Sequence, residues 1–198
     1  YPQGFILLVR PLIETGLLDR GTPLRCNAVS GYSGGGRHMI EQFQAMDAAT
    51  ANALAVQSYG LNQDHKHLPE MAKFSGTFVA PIFVPTVANY DQGMLTQIPL
   101  FASELGGASP ARVHAVLAER YADEAFIHVA DLGDHSMLQG NYLNPTGRND
   151  SNEMDLFVFG DDERLLLCAR YDNLGKGAAG AAVQNLNLML GLEETTGL

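Results

Sequence analysis

Three short segments of this chain combine residue types that could do chemistry, and the first is rich in glycine. The string SGYSGGGR, residues 30–37, lies between a predicted strand and a predicted helix. Adjacent glycines let backbone N–H groups converge on an anion, and the helix that follows adds the positive end of its dipole. The candidate anion-binding residues are Ser30, Gly31, Ser33, Gly34 and Arg37. The spacing matches neither of the common nucleotide-binding glycine patterns, and a flexible turn is the alternative interpretation.

The second segment, DHKHLPE, carries two histidines that are two residues apart. His65 and His67 point the same way on an extended backbone, and Glu70 follows closely. Imidazoles exchange protons near neutral pH, so the pair is a candidate general acid or base. Two other interpretations stay open, a metal site, which needs a third ligand, and a polar loop. The remaining four histidines are scattered, so no metal-ligand spacing is predicted.

The third segment, YDNLGKGA, joins the end of a predicted strand to the last predicted helix. Its Asn, Gly and Ala residues allow the backbone to approach either another helix or a flat ligand closely. Lys176 could meet a phosphate at this point. Close packing of helices is the alternative interpretation.

The elements that must position these segments follow from hydrophobic periodicity and from turn residues. Helices are predicted at residues 4–18, 37–57, 110–121 and 176–192. Strands are predicted at 24–30, 77–85, 93–101 and 125–130, with a hairpin of 154–160 and 164–172. The two strands that contain a proline, 77–85 and 93–101, are predicted to be edges or bends. Helices and strands mix without regular alternation, which predicts an α+β domain with a mainly antiparallel or mixed sheet and helices on one face.

Composition narrows the class of protein. The chain has 198 residues, enough for one domain with a substantial core. Its net charge is -10, which argues against general binding to nucleic acid. Apolar runs reach only about five residues, whereas a membrane span needs about 20. The two cysteines, Cys26 and Cys168, form no disulfide framework and are predicted to be core residues of a cytoplasmic protein.

Four strings of the sequence, taken together, resemble a known enzyme family. They are YPQGFILLVRPL, NAVSGYSGGGR, HKHLPEM and YDNLGKGAAGAAVQNLNLMLGL. In order and spacing they resemble N-acetyl-γ-glutamyl-phosphate reductase of arginine biosynthesis, and YSGGG and HLPEM resemble its shorter subtype. The resemblance implies a homodimer or homotetramer whose subunit has two domains. An N-terminal Rossmann domain binds NADP(H), and residues 1–198 correspond to the C-terminal domain, which resembles that of glyceraldehyde-3-phosphate dehydrogenase.

The resemblance also implies roles for the three segments. The family's catalytic Cys directly precedes the Tyr-Pro pair that begins this chain, so the nucleophile and the Rossmann domain are expected to be missing and the chain alone to be inactive. The thiolate attacks the acyl-phosphate substrate, which the SGYSGGGR loop binds, and the thioester accepts hydride from NADPH. His67, with His65 as second choice, is expected to protonate the oxyanion, and Glu70 to orient the imidazole. The residues expected to reach the nicotinamide are Asn173, Lys176 and Gly177. Helix 176–192 is expected to pack toward the Rossmann domain.

Two other functions remain open. One is a metal-dependent hydrolase centred on His65 and His67, although no resident metal is expected. The other is a non-catalytic oligomerisation module, which the broad sheet and edge-like strands would suit.

Overall fold

Seven strands form one sheet in the computed structural model, which describes all residues from 1 to 198. The strands are β1 (Arg25–Gly31), β2 (Val56–Ser58), β3 (Ile82–Ala88), β4 (Met94–Phe101), β5 (Ile127–Val129), β6 (Met154–Gly160) and β7 (Arg164–Tyr171). Their order across the sheet is β2-β3-β1-β4-β7-β6-β5. The β1–β3 and β5–β6 pairs are parallel and the other pairs are antiparallel. The predicted α+β class with a mixed sheet is confirmed.

Six α-helices accompany the sheet. They are α1 (Pro2–Glu14), α2 (Gly36–Gln44), α3 (Ala48–Ala53), α4 (Leu68–Ser75), α5 (Pro110–Tyr121) and α6 (Gly180–Leu190). A turn of π-helix, Gly175–Ala179, precedes α6. None of the helices combines the length and the apolar composition that crossing a membrane requires.

The main core lies between the sheet and the helices α1 and α5. Strand side chains alternate between faces, so Ile98 of β4 and Leu167 of β7 turn toward α1, whose Phe5 is fully buried with them. At Gly4 the helix lies so close to the sheet that an added Cβ would stand 2.8 Å from Thr96 Oγ1. The first turn of α1 is therefore held directly against the sheet.

Three predicted helices have different bounds. The helix predicted at 176–192 is a π-helical turn followed by α6, Gly180–Leu190, and local signals change the other two. The helix predicted at 4–18 begins at Pro2 and ends at Glu14, and Gly16 follows with a φ of 74°. The single helix predicted at 37–57 is wrong, because Asp47 Oδ1 accepts from Thr50 N at 2.7 Å and so caps a separate helix, α3. Residues 56–58 join the sheet as β2.

The prediction that the two proline-containing strands are edges is wrong for both. β4 is the central strand, and β3, which begins at Ile82 instead of residue 77, lies between β2 and β1. Pro99 lies beyond the last β1–β4 pair, Asn27 with Gln97, so its missing N–H interrupts no bond to β1. Pro85 likewise lies just outside the β2–β3 pairs, which begin at Thr86. In both strands the proline is placed where one neighbouring strand has ended.

The opposite face of the sheet carries a buried ion-pair network. Asp155 of β6 is fully buried and receives Arg170 Nη2 at 2.7 Å and Arg148 Nη2 at 2.6 Å. Arg148 belongs to the long connection between β5 and β6, so the carboxylate fastens that connection to the sheet. One buried carboxylate between two guanidinium groups is well satisfied. Removing it would leave the buried Arg170 without an acidic partner, whereas Arg148 would keep its ion pair with Glu153.

Candidate active site

A cavity of about 270 Å³ lies where the start of α1, the loop after β1 and the segment before α4 meet. Five residues that the sequence singled out line it: Ser30, Gly31, Gly34, His65 and His67. Tyr1 lines it as well. The fold therefore brings the glycine-rich loop and the paired imidazoles to the amino end of α1, although these segments are far apart in the chain.

Aromatic packing holds the imidazoles against Tyr1. The centroid of its ring lies 6.0 Å from the centroid of each imidazole, with an edge-on arrangement in both pairs. Phe83 of β3 supports the group, with its ring centroid 5.3 Å from that of Tyr1 and 5.2 Å from that of His65. Tyr171 Oη donates to the carbonyl oxygen of Tyr1 at 3.4 Å, which ties the start of the helix to β7.

The two histidines have different surroundings, which sets their protonation. The backbone N–H of His67 donates to His65 Nδ1 at 3.2 Å, so neutral His65 carries its proton on Nε2. Burial lowers the pKa of His65, with the Lys66 charge as the next cause. Burial, followed by the positive charge of the amino group, lowers the pKa of His67 to about 4. Both rings are therefore neutral at pH 7, and the buried Nδ1 of His67 has no hydrogen-bond partner.

The glycine-rich loop is shaped by the turn that precedes β4. Gly31 N donates to Gly93 O at 3.0 Å, and Ser33 N donates to Asp91 O at the same distance. A Cβ at Gly31 would lie 2.1 Å from Asp91 O, so only glycine fits at this close approach. Ser30 Oγ lines the cavity and donates to Gly31 O at 3.0 Å.

Three candidate residues lie outside the cavity wall. The buried hydroxyl of Ser33 donates to Asp91 O at 2.7 Å and so fixes the loop. Arg37 points outward from α2 with 91% of its side chain exposed, and it pairs with Glu41 one turn along the helix. Glu70 is exposed on α4 and makes no hydrogen bond to either imidazole. The structure therefore does not bring Ser33, Arg37 or Glu70 into contact with the cavity.

The three residues expected at the nicotinamide are engaged inside the protein. Gly93 N–H donates to Asn173 Oδ1 at 2.7 Å, and Asn173 Nδ2 donates to Ser33 Oγ at 3.0 Å. Lys176 is buried, donates to Gln184 Oε1 at 2.6 Å and lies over the Phe126 ring. Gly177 N donates to Asp172 O at 2.8 Å within the π-helical turn. These groups brace the loop and the last helix.

Sequence reasoning missed Tyr59 and Lys66, which also line the cavity. Tyr59 Oη donates to Tyr1 Oη at 3.0 Å. The segment that contains the histidines was expected to be extended, where residue 66 would face away from both of them. It is instead a turn closed by the bond from Leu68 N to His65 O, so His65, Lys66 and His67 share one side. The proline at position 69, the second residue of α4, was the signal for that turn.

Neither cysteine is placed for reaction, and no metal cluster is present. Cys26 and Cys168 are buried, unpaired strand residues, and burial raises the pKa of each thiol to about 12. No group of three or more His, Cys, Asp and Glu side chains is arranged so that it could hold a metal ion. The chemistry available to the cavity itself is proton exchange and anion binding.

Comparison with known proteins places this geometry in context. The chain is 46% identical to "N-acetyl-gamma-glutamyl-phosphate reductase 2" from Nostoc sp. over its whole length, which is 64% of the length of that relative. It is 46% identical to "N-acetyl-gamma-glutamyl-phosphate reductase" from Burkholderia cenocepacia, covering 96% of the chain and 61% of the relative. The chain thus spans less than two thirds of the length of these relatives.

The fold and the sequence family agree. A solved structure titled "probable aspartate-semialdehyde dehydrogenase" from Pseudomonas aeruginosa superposes with a TM-score of 0.67 at 20% identity. The match covers 92% of this chain and 58% of that one, and at this identity it shows the fold alone. Residues 1–173 match the family described as "Semialdehyde dehydrogenase, dimerisation domain". With the family match covering most of the chain and the fold agreeing, this protein chain belongs to the semialdehyde dehydrogenase dimerisation-domain family.

Proposed function

We propose that residues 1–198 are one domain of an NADP(H)-dependent N-acetyl-γ-glutamyl-phosphate reductase. The enzyme would convert the acyl phosphate to N-acetyl-glutamate 5-semialdehyde and phosphate. One observation carries the proposal: His65, His67 and the glycine-rich loop surround the start of α1 in a single cavity. The relatives that share 46% of the sequence bear the name of this reductase.

The start of α1 suits a nucleophilic thiol. By resemblance, the catalytic Cys is the residue directly before Tyr1, at the N-terminus of this helix. A helix N-terminus lowers the pKa of a Cys from ~8.5 into the range of about 3.5–7.5, which yields a thiolate at neutral pH. The thiolate adds to the acyl carbon, the bond from that carbon to the phosphate oxygen breaks, and phosphate leaves with the bonding electrons. A thioester remains on the sulfur.

His67 is our choice for the proton transfer. It enters neutral at pH 7, so it can take the thiol proton and become an imidazolium. The negative charge of the thiolate would stabilise that imidazolium, and the amino group that lowers the pKa of His67 in this chain would be a neutral peptide amide once a Cys precedes Tyr1. The imidazolium can then return the proton to the oxyanion that precedes the aldehyde. His65 is the weaker candidate because its Nδ1 already accepts the His67 N–H.

The binding site for NADP(H) is proposed to lie outside residues 1–198. Asn173, Lys176 and the N–H of Gly177 all make hydrogen bonds within this chain, which supports a role in bracing the loop and the last helix. We propose that NADP(H) binds to an N-terminal Rossmann domain, which would correspond to the part of the relatives that this chain does not cover. The preference for NADP(H) over NAD(H) belongs to that region too.

Assembly is part of the proposal. The matched family is described as a dimerisation domain, and we propose a homodimer or homotetramer in the cytoplasm. Apolar side chains on α6 are exposed, among them Leu186, Leu190 and Met189, of which Met189 is 84% exposed. We propose that this helix, predicted at 176–192, packs against the Rossmann domain.

The test uses the full-length protein that contains this chain. Phosphate-dependent reduction of NADP⁺ with N-acetyl-glutamate 5-semialdehyde should be rapid, whereas residues 1–198 alone should show none. In the full-length protein, His67→Ala should lower kcat about 100-fold or more. His135→Ala, which alters an exposed histidine outside the cavity, is the matched control. Absence of turnover in the full-length protein would refute the proposal, and stoichiometric bound metal would favour the hydrolase instead.

A further inference from the structure

The cavity has one charged side chain, Lys66. No aspartate, glutamate or arginine lines it, although the chain carries a net charge of -10. Acidic residues outnumber basic ones by 22 to 12, so a cavity wall whose charge is only positive differs from the rest of the surface. A positive group in an otherwise uncharged concave wall attracts an anion.

No other cavity group supplies positive charge at neutral pH. His65 and His67 both have lowered pKa values and are neutral. In the proposed full-length protein a residue precedes Tyr1, so the nitrogen of Tyr1 is a peptide amide and carries no charge. Arg37, the cation expected from the sequence, is outside the cavity and paired with Glu41.

Lys66 is also free to bind a ligand. No carboxylate lies within 4.0 Å of its ammonium group, whereas Arg10, Arg25, Arg120, Arg148, Arg164 and Arg170 all have acidic partners. Its charge lies close enough to both imidazoles to contribute to their lowered pKa values. The turn from His65 to Leu68 holds it on the same side as those rings.

We propose that Lys66 is the substrate-recognition residue that binds a negatively charged oxygen group of the substrate beside the two imidazoles. The inference rests on the proposed function for the identity of the substrate, which offers a carboxylate and a phosphoryl group. Both groups present the same chemistry to an ammonium ion, an anionic oxygen that accepts a charge-assisted hydrogen bond. Tyr59, fixed by its bond to Tyr1, adds a hydroxyl to the same wall.

Steady-state kinetics of the full-length protein test this in the direction that consumes semialdehyde and inorganic phosphate. Lys66→Gln should raise one KM by about 10- to 100-fold, the loss expected for a hydrogen bond to a charged group, with kcat changed by less than about threefold. A raised KM for semialdehyde identifies the carboxylate as the bound group, and a raised KM for phosphate identifies the phosphoryl group. Lys66→Arg should recover most of the affinity because it keeps the charge. Lys73→Gln, which alters an exposed lysine on α4, should leave both constants unchanged.

Direct binding separates this inference from the proposed function. Calorimetric titration of the full-length protein with inorganic phosphate and with N-acetyl-glutamate needs no turnover. Weaker binding of either probe to the Lys66→Gln variant supports the inference even if the reductase reaction is absent. Equal binding by wild type and variant, or unchanged KM values in an active enzyme, would overturn it.

Discussion

Asn173 should contribute strongly to the stability of the fold. It is 6% exposed and joins two loops, accepting from Gly93 N–H and donating to Ser33 Oγ. Asn173→Ala leaves a buried N–H without a partner and removes a second bond, which together should destabilise the fold by about 2–4 kcal/mol. For a domain of this size that lowers Tm by about 5–15 °C. The matched control is Asn185→Ala, which removes an exposed amide on α6.

The Asn173→Asp variant tests whether residue 173 must donate a hydrogen bond to Ser33 Oγ. Ser33 Oγ donates its proton to Asp91 O, so it can only accept from residue 173. An ionised aspartate would place an oxygen against that acceptor, and the variant should be at least as unstable as Asn173→Ala. Protonation would restore a donor, so its deficit relative to wild type should shrink as the pH falls. Urea unfolding followed by circular dichroism measures both variants, and a loss below about 1 kcal/mol for Asn173→Ala would refute the argument.

Three further predictions concern the same region. Gly31→Ala should destabilise the fold by about 2 kcal/mol or more and lower Tm by several degrees, because its Cβ would meet the backbone atom Asp91 O at 2.1 Å. Calorimetry should show little change for Gly21→Ala, whose Cβ would closely approach only the exposed Asp19 side chain, at 3.0 Å. Burial lowers the pKa of His67 from 6.5 in the unfolded chain to about 4 in the fold, so the unfolded chain binds more protons between these values and stability falls as the pH drops from about 6.5 toward 4. The urea midpoint of His67→Gln should depend less on pH in that window than the midpoint of the wild type, and identical pH profiles would contradict this. Neither Cys26 nor Cys168 should react with a thiol reagent in the folded chain, since burial raises both pKa values to about 12, and both should react after unfolding.

Elements with strong local signals were predictable from the sequence. Helix α5 has the predicted bounds because Ser109 caps it and Pro110 occupies its first position. The β6–β7 hairpin is also confirmed, since its turn residue Asp161 accepts from the backbone of Glu163 and Arg164. In these places local hydrogen bonds and the tertiary fold require the same conformation.

What the sequence could not show depends on contacts between distant segments. The central place of β4 follows from pairing with β1 and β7, which no local pattern around Pro99 reveals. The sequence predicted which types of residue would form the site, but it did not show which of the candidate residues line the cavity. Arg37 and Lys66 are both basic and both lie within a candidate segment, and only the direction of α2 and the turn at His65 distinguish them.

The order of the strands has a consequence for how the chain folds. The three central neighbours, β1, β4 and β7, come from residues 25–31, 94–101 and 164–171, so the middle of the sheet joins segments some seventy residues apart. Loop closure over such separations slows folding, and β7 is the last of the three to be synthesised. Until β7 arrives, one hydrogen-bonding edge of β4 stays open, and nascent chains could pair there with one another. Refolding should therefore be slow and should give its best yield in dilute solution.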